Sequence, residues 1–63
     1  MLIPFTDLKT GNSFALNPEH IIGIFVGTEG ESEGKTLITV NGGTVIVEEE
    51  YVEVFGRING ELK

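Results

Sequence analysis

The chain has 63 residues, 40% of them hydrophobic, with ten Asp and Glu against four Lys and Arg for a net charge of −6. There is no cysteine and only one histidine, so a disulfide framework and a Cys/His metal set are both excluded. Lys9, Lys35, Arg57 and Lys63 are scattered along the chain, which works against binding a phosphate backbone, and no segment approaches the ~20 apolar residues that span a bilayer.

From the amino terminus, Leu2 to Phe5 reads as a short strand, with Pro4 confining it to an edge or to its own beginning. Lys9-Thr10-Gly11-Asn12 is a turn. Ser13 to Asn17 then alternates, with Phe14 and Leu16 on one side, until Asn17-Pro18-Glu19-His20 breaks the strand with a single tight turn. Ile21 to Val26 is the next strand, with Ile22, Ile24 and Val26 on one face and Ile21, Gly23 and Phe25 on the other. Gly27 to Gly34 is polar, glycine-rich and aperiodic, so a mobile surface loop is expected there.

Lys35 to Asn41 and Thr44 to Glu48 form a β-hairpin around Asn41-Gly42-Gly43. A two-residue turn of the tightest kind needs positive φ at both central positions. With Gly42-Gly43 as the loop, Val40 faces Val45 and Ile38 faces Val47. With Asn41-Gly42 as the loop, Ile38 faces Val45 and Leu37 faces Ile46. Both registers keep Ile38, Val40, Val45 and Val47 on one face. The last segment, residues 49–59, has two readings. Tyr51, Val54, Phe55, Ile58 and Leu62 make one helical stripe, with Glu48, Glu49 and Glu50 at the amino end and Asn59-Gly60 as a stop. Tyr, Val and Phe are strand formers, however, and Gly56 costs an interior helix about 1 kcal/mol. A strand would pair Val52 with Val54 against Glu53 and Phe55. The helix is the favoured expectation.

The expected fold is mainly β: one small domain over residues 1–63, built as an antiparallel sheet or partly open barrel of four or five strands with a short carboxyl-terminal helix. One face is apolar through Phe14, Leu16, Ile22, Ile24, Ile38, Val40, Val45 and Val47. The other carries Ile21, Phe25, Leu37 and Ile46. One short helix covers only one face, so the second must curl on itself, meet a partner or stay partly exposed. A chain this short buries only about 60% of its unfolded surface, and oligomerisation is a common remedy. A homo-oligomer is therefore expected, with Ile21, Phe25, Leu37 and Ile46 as its contact face.

Catalytic constellations are missing. Glu29, Glu31 and Glu33 alternate in a loop but lack the pattern of a dedicated calcium site. Glu48, Glu49, Glu50 and Glu53 read first as a helix-start cluster. His20 has no Cys or Asp at ligand spacing, and no Ser or Thr sits in a strand-to-helix elbow. The glycine-rich stretches lack the strand, lysine and helix of a phosphate cradle. No enzyme activity, cofactor or metal is expected. Met1-Leu2-Ile3-Pro4-Phe5 has no basic n-region and no cleavage site, so a cytoplasmic protein is expected.

Gly11 to Ile21, followed by a strand and a variable loop, then Thr36 to Gly43 and Val45 to Val54, resembles the small FlbD-type proteins of flagellar operons and similar short bacterial and phage chains. The resemblance covers most of the chain and implies a small accessory or regulatory protein. Its relatives tend to carry Ser, a helix-capping residue, where this chain has Glu50, a departure that weakens the helix assignment. A fainter similarity to LytTR-type DNA-binding domains lies in the Val-Asn turn, the Ile-rich strands, the Asn-Gly hairpin and the terminal Tyr. Those domains read DNA with basic loop residues that this chain lacks. The leading expectation is a protein-interaction module; the alternative is a nucleic-acid-binding regulator using Lys9, Lys35 and Arg57.

Overall fold

Alternating β-branched residues around Asn41-Gly42 fold into the central hairpin of the chain, β4 (Thr36–Val40) and β5 (Gly43–Val47). The computed structural model describes residues 1–60. Pairing runs Val40 to Gly43, Ile38 to Val45, Leu37 to Ile46 and Thr36 to Val47, so Asn41-Gly42 is the two-residue loop. Only Gly42 has positive φ, at 97°, while Asn41 does not, so the turn closes without the doubly positive geometry expected of it. β3 (Ile21–Val26) adds antiparallel to β4, giving a three-stranded sheet in the order β3-β4-β5.

β1 (Ile3–Thr6) and β2 (Ser13–Leu16) form a separate antiparallel pair, with Phe5 opposite Phe14. The two sheets are stitched together rather than closed into a barrel. The Leu8 N–H donates to the Ile46 carbonyl, the Glu48 N–H to the Thr6 carbonyl, and Asp7 bridges Val47. Asp7 also closes its own turn, accepting from the Thr10 hydroxyl and N–H at 2.8 and 2.9 Å. Those bonds, with Lys9 nearby, hold its carboxyl below the ordinary value against a small opposing effect of burial. Pro4 lies inside β1, where its missing N–H falls on the side away from β2. Its carbonyl on that side accepts from Arg57 rather than from a strand.

Residues 51–58 settle the ambiguous segment as a helix, α1 (Tyr51–Ile58). Glu50 is its N-cap and makes no side-chain capping bond, as the departure from Ser suggests. The helix forms because its tertiary contacts outweigh the missing cap: Val54 is fully buried and Ile58 packs on the core. It ends as expected. The Asn59 side chain donates to the Phe55 carbonyl, and Gly60 takes φ +75°. Leu62, the last residue of the expected stripe, lies outside the described residues.

Ile3, Phe5, Ile38, Val47 and Val54 make the core, with Phe14, Leu16, Ile21, Ile24, Val40 and Val45 packed against it. One expectation fails here. Ile21 belongs to the core side, opposite Val40, and Ile22 is the exposed residue, at 68%. The cause is a β-bulge between Ile21 and Gly23: Gly23 pairs with Thr39, so Ile22 has no partner on β4 and the alternation restarts after it. Ile21 is accordingly removed from the second face. The β3–β4 connection also differs from expectation. It holds a turn of 3₁₀ helix at Gly30–Ser32, and the Gly34 N–H reaches back to the Gly27 carbonyl. Gly27 is buried so tightly that a Cβ there would lie 2.0 Å from the Ser32 carbonyl oxygen.

Candidate interaction surface

The two sides of the β3-β4-β5 sheet are decided by register. On the side away from the core, Phe25 pairs with Leu37 and Leu37 with Ile46, forming one cross-strand row of large apolar side chains. Gly23, Thr39 and Thr44 form the neighbouring row, in which the Phe25 ring lies over Gly23. Phe25 is 54% exposed, while Leu37 and Ile46 are half-buried. Three of the four residues expected at a contact face are thus brought together. The fourth, Ile21, is on the opposite side.

On the core side, α1 lies against β3 and leaves an apolar groove of about 190 Å³ between them, lined by Ile21, Ile22, Ile24, Phe55, Ile58 and Asn59. Phe55 stacks on Tyr51 with ring centroids 6.3 Å apart, and both are partly exposed. The sequence pattern placed Phe55 on one helical stripe and Ile22 on the apolar face with Phe14 and Ile24. Gly23 was the available signal for the bulge that moves Ile22, since an isolated glycine within a strand pattern marks such sites. A second, wider cleft of about 430 Å³ opens beside Met1, Leu2, Ile3, Pro4, Glu53 and Arg57.

The three cations offered for nucleic acid lie on three different segments: Lys9 in the turn after β1, Lys35 just before β4, and Arg57 on α1. Arg57 is engaged within the chain. Its guanidinium donates to the Pro4 carbonyl at 2.7 Å and to the Glu53 carboxylate, lies 3.8 Å from Glu49 and packs over the Phe5 ring. Glu49, with a side chain only 12% exposed, accepts from the Thr6 N–H at 3.0 Å and the Thr6 hydroxyl at 2.9 Å. Burial pushes its pKa up, but the Thr6 bonds and Arg57 outweigh burial and hold the carboxyl below its ordinary value. These groups lock α1 to β1.

Lys9 and Lys35 are exposed, as are His20, Glu29, Glu31 and Glu33. Among the described residues no three His, Asp or Glu side chains gather as a metal site, and no helix is long and apolar enough to cross a membrane. Comparison with models of protein families, with curated proteins and with solved structures finds no match to this chain.

Proposed function

We propose that this protein is a non-enzymatic accessory or regulatory protein of the cytoplasm that acts through protein–protein contact and self-associates through the outer face of its three-stranded sheet. The observation that carries this reading is the Phe25–Leu37–Ile46 row. Its three large apolar side chains stand in register across three strands on a face that neither α1 nor the β1–β2 pair covers with core contacts. Such a row is a natural isologous contact, because the same residues on two copies meet under a two-fold axis. The net charge of −6 and the engagement of Arg57 within the chain favour a protein surface over nucleic acid as the target. The resemblance to FlbD-type proteins points the same way.

Sedimentation equilibrium at micromolar concentration tests it. The expected mass is at least twice 6.8 kDa, falling to the single-chain value on Leu37→Lys. A single-chain mass for the unaltered protein at ~100 μM overturns the reading, since an interface of even ~1,200 Å² holds at that concentration.

A further inference from the structure

We infer that the outer edge of β3, together with the groove between β3 and α1, is a docking site for an extended peptide segment that is apolar in its middle and carries Lys or Arg at its ends. This rests on the protein-interaction reading above and adds to it a second surface and the chemistry of its occupant.

The backbone supplies the first argument. The Gly27 N–H donates to the Lys35 carbonyl at 2.8 Å, directly opposite it one step beyond the Val26–Thr36 pair. This fixes the parity of the hydrogen-bonded pairs along β3, although the Lys35 N–H itself turns to Ser32. In an antiparallel ladder such pairs alternate, so Phe25 and Gly23 also turn their backbone groups toward β4. Ile24 and Val26 then turn theirs outward. Among the described residues no backbone group pairs with them there. Edge strands are ordinarily protected by Lys, Pro, an inward-pointing charge or a bulge; β3 has a bulge at Ile21–Gly23, and beyond it Ile24-Phe25-Val26 has none of these. The opposite edge of this sheet, β5, is already engaged, since the Leu8 N–H donates to the Ile46 carbonyl and the Glu48 N–H beyond its end donates to the Thr6 carbonyl.

The second argument is shape. A strand laid along β3 alternates its side chains, and every second one turns to the side where the groove lies. Ile22 and Phe55, both exposed, stand in the lining of that groove and offer apolar contact to an aliphatic side chain.

Charge names the occupant. Glu19 precedes β3, and Glu29 and Glu31 follow it, with Lys35 the one cation near either end among the described residues. A second copy paired antiparallel on this edge brings Glu19 of one chain against Glu29 and Glu31 of the other, a like-charge contact. A segment with a cation at each end meets an acid at each end instead.

Fluorescence anisotropy on the full chain tests this with three synthetic peptides. The first alternates valine and threonine with two lysines at each end, the second replaces those lysines with glutamates, and the third is the first with alternate backbone nitrogens methylated. The lysine-ended peptide is expected to bind. The glutamate-ended one should bind at least about tenfold more weakly at low salt, with the gap closing as salt screens the ends. Methylation should abolish binding, and Ile22→Asn should weaken it by about tenfold. Amide chemical-shift changes should centre on Ile22 to Val26 and Phe55 to Asn59. Equal affinity for the two end types, binding that survives methylation, or shifts centred elsewhere would overturn the inference. So would concentration-dependent protection of the Ile24 and Val26 amides without peptide, which would place a second copy on the edge. Loss of peptide binding with self-association intact rejects only this site, and the converse rejects only the outer face.

Discussion

The two faces of the β3-β4-β5 sheet are built from similar residues yet meet different fates. On one, Ile38 and Val47 are wholly enclosed by Ile3 and Phe5 of β1 and by Val54 of α1. On the other, Phe25, Leu37 and Ile46 stand in an equally apolar row that stays half-exposed. Alternation within each strand divides side chains between faces. It carries no information about which face receives the remaining elements. That choice follows from where the stitching bonds of Thr6, Leu8 and Glu48 hold the β1–β2 pair, and from the Glu49–Arg57 cluster that fastens the helix to it.

The largest test of this contrast is Ile38→Ala. It should cost about 2–5 kcal/mol, as buried truncations leave a cavity that the surroundings fill only in part. Urea denaturation reads it, and a loss below ~1 kcal/mol would mean that Ile38 is not in the enclosed face. Gly42→Val comes next, at about 1–3 kcal/mol, because φ at Gly42 is +97° and a β-branched side chain resists that region. Gly43→Ala should stay within ~0.5 kcal/mol, since Gly43 has ordinary φ and open space around its Cβ position. Equal losses at the two glycines would point to the other register, which keeps the same two faces.

Glu49→Gln should cost about 1 kcal/mol, through its charge-assisted bonds to Thr6 and its attraction to Arg57. The sign of the pH effect follows from the depressed pKa. The Glu49 contribution is fully present above the ordinary glutamate value of 4.5 and is lost as the pH falls through the lower folded-state value. Acid titration of the unfolding free energy should therefore show a shallower decline in the Gln variant. Identical acid limbs would remove Glu49 from the latch. Among the larger side chains, the smallest change belongs to the open face. Leu37→Thr should cost about 0.5–1 kcal/mol of chain stability, because its side chain is only half enclosed, and a Tm drop as large as that of Ile38→Ala would show the two faces to be equally packed.

Much of this fold is legible within short windows of the chain. The hairpin around Asn41-Gly42, the strands through Phe14 and Ile24, and the helical stripe of Val54 and Ile58 all follow from periods of two and 3.6 and from the φ freedom of glycine, which are properties of a few consecutive residues. The Phe25–Leu37–Ile46 row was legible for the same reason. Other features were decided by tertiary structure. The bulge that exchanges Ile21 for Ile22 depends on how β3 meets β4. The close approach of Gly27 to Ser32 depends on how the connection folds back. Arg57 reads as a free cation until the Pro4 carbonyl, 53 positions away, accepts from it, and Glu49 reads as one more surface acid until Thr6, 43 positions away, donates twice. Local conformation is encoded in neighbouring residues, whereas burial and pairing belong to residues that only the folded chain brings together.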